Sequence, residues 1–285
     1  MPQRHQAFNQ RAADTPTPRL QRTTGSGRVR FRADGEVTRL AELRQAGALR
    51  IRLPRVPADA AQEAVVINTA GGLTGGDRLD LAVALDGHAD AVVTTAACEK
   101  FYRSAGGEAR VSTTIALGPG SRLHWLPQPA ILFDGGRMRR TVAVDMTADA
   151  TLIAVEGLIL GRTAMGEDVV DGWVHDGWRI RRDGRLILAD AFRAGPGVRA
   201  RLGGAATLRG MRASASVVYV APDAERRLDA ARGLLDDCGG DAAASVWDGV
   251  LLVRLAAADG ATLIGDLSRF LAGFRARALP RSWLC

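Results

Sequence analysis

Residues 178–190, which read WRIRRDGRLILAD, carry the clearest fold signal in the chain. Two strand-like runs, RIRR and RLIL, are joined by Asp183-Gly184. An Asp-Gly pair favours a two-residue primed turn, because both of its positions must adopt positive φ angles. The segment therefore predicts an antiparallel β-hairpin.

Other parts of the chain show the alternation of a half-buried strand. Apolar and polar side chains alternate with period two in residues 79–85, 111–117 and 142–146, which places one strand face in the core and the other in solvent. Turn residues such as Gly118-Pro119-Gly120 separate these runs at short intervals. Many short strands at this spacing predict a mainly β fold, a layered and many-stranded β body. No fixed-length repeat is evident, so a regular solenoid is not predicted.

The C-terminal third changes character and predicts two α-helices. After a strand at residues 216–220, apolar side chains at helical spacing predict a helix near 223–238, ended by Gly239-Gly240. A second run of helical spacing predicts a helix near 263–277. The intervening segment SVWDGVLLVRL, residues 245–255, is predicted to be a single strand.

The ends and the composition define the domain organisation. Residues 1–26 have little periodicity and predict a flexible tail, whereas residues 27–285 predict a single β-rich domain. No apolar run approaches the roughly 20 residues of a membrane helix, and the first residues lack a secretory signal. We therefore expect a soluble cytoplasmic protein. The cysteines indicate neither a disulfide framework nor a closed zinc site, because they are three, far apart and without a C-x-x-C pair: Cys98, Cys238 and Cys285.

The strongly basic charge leaves two classes of partner to consider. The net charge is +7, and a single lysine, Lys100, means that arginine supplies nearly all of the positive charge. Short clusters such as residues 137–140 and 179–182 lack the interleaved aromatic side chains of single-strand binders. Nucleic-acid binding is therefore disfavoured, and a basic surface that docks on acidic protein partners fits the composition equally well.

A glycine-rich segment, NTAGGLTGGD at Asn68–Asp77, is the densest local motif. Its spacing fits neither the P-loop nor the dinucleotide fingerprint. The flanking runs AVVIN and RLDLAVAL both resemble strands, so no helix N-terminus would face a phosphate. A tight connection between two strands is favoured over a nucleotide site.

Acidic side chains are the most suggestive candidates for chemistry, whereas no pair of histidines has metal-chelating spacing. Five carboxylates lie among apolar or glycine-rich neighbours: Asp77, Asp134, Asp145, Glu156 and Glu167. Glu156 interrupts the hydrophobic run TLIAVEGLIL, and a buried carboxylate is costly without a partner. It is therefore protonated, paired with an arginine such as Arg162, or exposed to a wet internal space. A wet path with several acids could bind a divalent cation, which needs oxygen or nitrogen ligands.

Several co-linear motifs resemble the urease accessory proteins of the UreD (UreH) family. They are NTAGGLTGGD, TTAACEKFYRS, LPQPAILFDGGRMRR, LGRTAMGE, WRIRRDGRLILAD and the terminal LPRSW. The similarity covers roughly residues 28–283. Two positions depart from the family pattern, because Ala96 and Pro129 replace more polar residues, and Cys98 is a small thiol beside the first of them.

The resemblance implies a mainly β fold with two helices and a role in nickel insertion into apo-urease. It implies no catalysis and no tightly bound cofactor, only transient Ni²⁺ passing through an internal, water-filled tunnel. The implied partners are UreF, the GTPase UreG (through UreF) and apo-urease, without nucleic acid or membrane. We expect UreF to bind the β surface together with the C-terminal helices. Carried over to the shared motifs, the candidate nickel route is formed by four acids: Asp77, Asp134, Glu156 and Glu167.

Two alternatives stay open at this point. A pure assembly scaffold without metal handling would share every motif, with the acids serving only in ion pairs. A β-rich carbohydrate-active enzyme would use paired carboxylates, but it would also need aromatic sugar platforms, which an aromatic content of 5% disfavours.

Overall fold

A computed structural model describes residues 21–57, 60–162 and 165–284. Two β-sheets dominate these residues, so the predicted mainly β, layered fold is confirmed. The first sheet has seven strands: β1 (Thr24–Asp34), β2 (Val37–Gly47), β5 (Arg78–Leu85), β8 (Ala109–Leu117), β11 (Arg137–Met146), β13 (Trp173–Arg182) and β14 (Arg185–Ala194). The second sheet has ten: β3 (Leu49–Arg52), β4 (Gln62–Asn68), β6 (Asp90–Thr95), β7 (Lys100–Phe101), β9 (Arg122–Leu126), β10 (Ala130–Leu132), β12 (Thr151–Leu160), β15 (Ala213–Val220), β16 (Asp241–Trp247) and β17 (Val250–Ala257).

The central strands are parallel, and the chain crosses from one sheet to the other between them. The first sheet has the order β14-β13-β11-β8-β5-β1-β2, and the main path of the second is β16-β17-β15-β12-β9-β6-β4-β3. The three alternating runs found in the sequence lie in adjacent strands, with Val83, Ile115 and Val144 side by side and buried. Because alternate side chains share a face, this register forms one apolar core between the sheets.

In the part of the chain that the structure describes, the helices cover the second sheet and one end of the core. They are α1 (Val198–Leu202), α2 (Leu228–Gly233) and α3 (Gly260–Arg275), with short 3₁₀ turns at Ala224–Arg227 and Arg281–Trp283. The Asp259 carboxylate caps α3 by accepting a hydrogen bond from the Thr262 amide at 2.8 Å. The apolar side of α3 is buried against β15 and β17, and it includes Phe270 and Phe274.

The helix predictions need three adjustments. The helix predicted near 263–277 is α3, which begins three residues earlier. The segment predicted as a helix near 223–238 is a 3₁₀ turn followed by α2, which already ends at Gly233. Gly239 and Gly240 do not cap it, since their amides donate to the Asp266 carboxylate of α3 at 3.0 and 3.1 Å. The five-residue α1 was not predicted, because so short a helix shows no periodicity.

The turn predictions differ in outcome between the two Asp-Gly pairs. At Asp183-Gly184 the φ angles are 49° and 79°, so the predicted primed hairpin turn is confirmed. The prediction of a single strand over residues 245–255 is wrong, because Asp248-Gly249 forms the same kind of turn, with φ angles of 45° and 72°. The segment is therefore split into the antiparallel pair β16 and β17.

The predicted N-terminal tail extends slightly too far. Strand β1 begins at Thr24, within the last three residues of the predicted tail. Residues 1–20 lie outside the described residues, so the tail itself stays a prediction.

Candidate functional site

Strand β12 is buried on both of its faces, and this places Glu156 between the two sheets. Leu152, Ala154 and Leu158 belong to the core between the sheets, whereas Ile153 and Val155 face the layer beneath α3. Glu156 lies on the same face of the strand as Leu152, Ala154 and Leu158, and 4% of its surface is exposed. A carboxylate is therefore held in the interior, where it needs a partner.

The partner is an arginine of the facing sheet. Arg140 of β11 lies within 2.5 Å of Glu156, measured from Nη1 to Oε2. The same guanidinium donates to both carboxylate oxygens of Asp176 at 3.0 and 2.5 Å, and to the Gly157 carbonyl at 3.1 Å. The Trp125 indole donates to Glu156 Oε1 at 2.9 Å. One cation is thus shared by two buried carboxylates, and we call Arg140, Glu156 and Asp176 the interior triad.

The triad has an unbalanced charge. Burial raises the pKa of Glu156 to about 7, the nearby Arg140 opposes this rise, and the Asp176 charge adds to it. Burial also disfavours the Arg140 guanidinium, but its two carboxylate partners outweigh that effect and raise its pKa. When all three groups are ionised, the triad carries one net negative charge in a medium of low polarity, so it holds a proton near neutral pH.

One oxygen of the triad has a single partner. Glu156 Oε2 is buried and contacts the Arg140 guanidinium at 2.5 Å, and no other group of the described residues donates to it. The ion pair therefore satisfies this oxygen, and displacing Arg140 would leave it unpaired in the interior.

Two cavities meet at the triad. The first, of about 340 Å³, is lined by Glu156, Asp176, Asp190 and Ser216 and reaches the surface at Asp241 between β14 and β16. The second, of about 200 Å³, is lined on the opposite flank by strands β3, β4, β5 and β8 and by residues 95–101. Glu156 lines both cavities, Asp176 lines the first and Arg140 the second. The triad therefore forms the partition between them.

The second cavity contains a further, half-buried acid, Glu99. Asn68 donates to both carboxylate oxygens of Glu99, at 3.0 and 3.1 Å. Burial raises the pKa of Glu99, and the Asn68 hydrogen bonds oppose this rise. Cys98 lines the same cavity, and burial raises the pKa of its thiol. Because the thiolate is the form that binds metals, the raised pKa makes Cys98 a weak ligand.

The other three candidate acids lie away from both cavities. Asp77 is buried and accepts hydrogen bonds from the amides of Thr23 and Thr74, at 2.7 and 2.8 Å. The Asp134 side chain accepts from the amides of Val170 and Asp171 at 3.0 Å and also pairs with Arg103.

Glu167 is the remaining candidate, and it lies next to Asp134. It pairs with Arg162 at 2.9 Å, and its second oxygen lies 3.5 Å from the Asp134 amide. The structure thus brings Asp134 and Glu167 together in one loop region. Arg162, the arginine expected beside Glu156, pairs with Glu167 instead. Arg140 lies beside Glu156.

Sequence reasoning missed Arg140 and Asp176, although the signal was present. Arg140 lies on the same buried face of β11 as Met138, Val142 and Val144. Asp176 lies on the buried face of β13. A charged residue on the buried face of a strand needs a charged partner, so this pattern marks both residues as members of buried ion pairs without specifying that they meet.

The glycine-rich segment is the predicted tight connection, here between β4 and β5. A Cβ atom on Gly72, whose φ is 151°, would lie 2.3 Å from the Tyr102 ring. One on Gly75 would lie 2.0 Å from the Ser104 hydroxyl. Glycine is needed for this close approach of two loops, and no helix follows the segment.

Residues 21–57, 60–162 and 165–284 lack two features. No group of three or more His, Cys, Asp or Glu side chains there could hold a metal ion. Within the same ranges, no helix is long and apolar enough to cross a membrane.

Comparison with known proteins gives a consistent result. The sequence pattern of the family described as UreD urease accessory protein matches residues 23–284. A urease accessory protein UreD of a Methylobacterium species is 45% identical over 278 residues, which cover 94% of this chain and 98% of that protein. The UreD of Xanthobacter autotrophicus is 46% identical, covering 92% of this chain and 90% of the relative. That of Rhizobium leguminosarum bv. trifolii is 47% identical, covering 93% and 96%.

Proposed function

This chain belongs to the UreD family of urease accessory proteins, and we propose that it takes part in urease maturation as a scaffold and nickel conduit. By its family it is an accessory protein and not an enzyme. In the proposal, a UreF–UreG complex delivers nickel, this chain passes the ion on, and apo-urease receives it. GTP hydrolysis belongs to UreG, and nickel is the cargo.

The observation that carries the proposal is the position of Glu156 at the meeting point of two cavities. One cavity opens between β14 and β16, and the other lies against residues 95–101 on the opposite flank. Glu156 belongs to the lining of both cavities, so an ion that passed from one to the other beside this residue would meet its carboxylate. Such a partition supports a route through the body better than it supports a closed binding site.

The chemistry of the partition suits a divalent cation in transit. Two carboxylates share a single guanidinium, so the triad has a net negative charge when Glu156 is ionised. Because the pKa of Glu156 is about 7, its proton can be exchanged for a cation at neutral pH. Arg140 limits the affinity, since it competes with the ion for the same oxygens. Transport requires binding that is favourable but reversible.

The other three predicted acids line neither cavity. Asp134 and Glu167 lie together in a loop region and pair with arginines, and Asp77 stabilises a turn. Their place on a nickel route stays a prediction. Glu99, which lines the second cavity, is a further candidate that we add to the route.

The main alternative is an assembly scaffold that handles no metal. In that case the interior triad is a structural ion pair, and its charge has no role in urease activation. The two functions predict the same complexes with UreF and apo-urease, so only nickel transfer separates them.

The test is nickel transfer to apo-urease in a complex reconstituted with the Glu156→Gln variant. Glutamine keeps the size of the side chain but removes its charge, and a charge-assisted contact contributes about 1.5–3 kcal/mol. We expect the complex to assemble and nickel transfer to fall about tenfold or more. The matched control is Glu42→Gln on β2, a half-buried glutamate that pairs with Arg28 and Arg44 and lines neither cavity. If both variants transfer nickel at the wild-type rate, the scaffold function is correct.

A further inference from the structure

The outer face of the first sheet carries a row of basic residues in register. Five adjacent strands each contribute one: Arg78, Arg110, Arg139, His175 and Arg193. The strand neighbours of these residues, such as Leu79, Met138 and Val174, are buried in the core. Since successive side chains point to opposite faces, the basic row points away from the core. We call it the arginine row.

Carboxylates balance only part of this charge. Glu108 pairs with both Arg110 and Arg139, at 2.9 and 2.6 Å, and Asp80 pairs with Arg78 at 2.7 Å. Among the described residues, Arg193 has no ion pair, and the same holds for Arg137, which lies beside the row. The face therefore keeps a positive excess.

Aromatic stacking holds the middle of the row in place. The Arg139 guanidinium lies 4.8 Å from the ring centre of Trp173, and that ring stacks on His175 with a centre distance of 6.2 Å. A stacked guanidinium loses less freedom when it binds a carboxylate. Arginine and tryptophan are also the residues most enriched at the energetic centres of protein interfaces.

The surface next to the row is open and shallow. The adjacent register positions carry small side chains, including Ser112, Thr141, Gly177 and Ala191. A depression of about 220 Å³ lies over Gly177, between His175 and Arg193. The longer helices α2 and α3 pack on the second sheet, and no helix of the described residues covers this face. A partner backbone can therefore approach closely.

The row extends far enough for a protein interface. Five strands at about 4.8 Å spacing span about 19 Å, which is comparable to the width of a standard interface of about 800 Å² per partner. A second depression, of about 590 Å³, lies beside the row and is lined by Arg78, Arg110, Arg137 and Trp173 together with the acids Asp77 and Glu108. The two depressions thus flank the row between β5 and β14.

We propose that the arginine row docks an acidic protein surface, whose carboxylates bind the exposed guanidiniums. Guanidinium groups match carboxylates in a bidentate geometry. Single-stranded nucleic acid is a poorer occupant, because Trp173 is already stacked between Arg139 and His175 and is not free for a base. The inference rests on the proposed function only in taking apo-urease and UreF as the proteins to test.

The experiment measures binding of the full-length chain to purified apo-urease and, separately, to purified UreF. The row variant is Arg78→Gln/Arg110→Gln/Arg193→Gln, and the control is Arg55→Gln/Arg185→Gln/Arg226→Gln, three exposed arginines outside the row. The net charge of both variants is equal. We expect the row variant to bind one of the two proteins about tenfold more weakly, with a reduced dependence on salt, and the control to bind like wild type. Unchanged binding to both proteins would overturn the docking site.

A second readout needs neither protein and so separates this inference from the proposed function. A labelled 20-residue polyglutamate peptide should bind wild type and control equally at low salt and the row variant several-fold more weakly. Equal affinity of all three chains for the peptide would contradict the proposal. So would a wild type that prefers a 20-nucleotide DNA strand to the peptide and loses this preference in the row variant. If wild type binds the peptide as expected but neither protein, the proposed function fails and the acidic docking face does not.

Discussion

The two faces of strand β12 are both buried, but they are built differently. The outer face, with Ile153, Val155 and Ile159, packs in the layer that contains α3, where Phe270 and Phe274 stack with ring centres 5.3 Å apart. The inner face presents Glu156 to Arg140 of the facing sheet. One strand thus separates an apolar layer from a charged interior with two cavities.

This difference indicates which face stabilises the fold. Apolar burial stabilises by about 25 cal/mol per Å², without a desolvation cost for charges. A buried ion pair loses most of its Coulomb energy to desolvation, so it is weak evidence of stability. We infer that the outer face of β12 carries stability, and that the inner face carries the function proposed for the triad.

The largest effect is expected from the apolar layer. The variant Phe270→Ala leaves a cavity beneath α3, and it should lower the free energy of unfolding by about 4 kcal/mol. Phe270 is fully buried, so little relaxation can fill the space. Urea denaturation of variant and wild type measures this effect. A decrease in the free energy of unfolding below about 1 kcal/mol would contradict the comparison. The outer face of β12 would then not be the face that stabilises the fold.

A smaller, pH-dependent effect is expected from the interior triad. The ordinary pKa of the Glu156 carboxyl is 4.5, and the folded chain raises it to about 7. Between these values the folded state binds more protons than the unfolded state, so the contribution of Glu156 to stability falls as pH rises. The side chain of the Glu156→Gln variant does not titrate, so its stability lacks this decrease with rising pH. From pH 5 to pH 7.5, the variant should therefore gain about 2 kcal/mol relative to wild type.

Urea denaturation at several pH values checks this second prediction. The comparison with wild type at each pH cancels the other titrating groups, among them Glu108, whose pKa the Arg139 contact lowers. A constant difference between the two proteins across this range would show that Glu156 titrates normally in the folded chain. The triad would then carry no exchangeable proton at neutral pH.

Local patterns predicted much of this fold. Alternation identified β5, β8 and β11, and Asp183-Gly184 identified the hairpin, because both signals depend on neighbouring residues alone. The same reasoning applies to Asp248-Gly249, but the apolar residues after it concealed the turn within an apparently continuous strand. Helix α3 was predicted because sixteen residues give several turns of periodicity.

The candidate site was harder to predict, because it depends on contacts between the sheets. Glu156 was identified from its hydrophobic neighbours, and an arginine partner was expected. The partner is Arg140 and not Arg162. Arg140 lies on β11 of the facing sheet, and the sequence alone does not tell which residues of two packed sheets face each other. Asp176 joins the triad because it lies directly opposite Arg140 in the pairing of β11 and β13. No sequence pattern specifies that pairing.

The most direct test of the central claim is to fill the first cavity without changing its charge. Ser216 lies opposite Glu156 in the pairing of β12 and β15 and lines the first cavity, whereas Ser245 of β16 is exposed outside it. Nickel transfer to apo-urease should be followed in the reconstituted complex with Ser216→Trp, and with Ser245→Trp as the control. The account predicts an assembled complex in which Ser216→Trp nearly abolishes transfer and Ser245→Trp leaves it intact. Wild-type transfer by an assembled Ser216→Trp complex would contradict a route between the sheets.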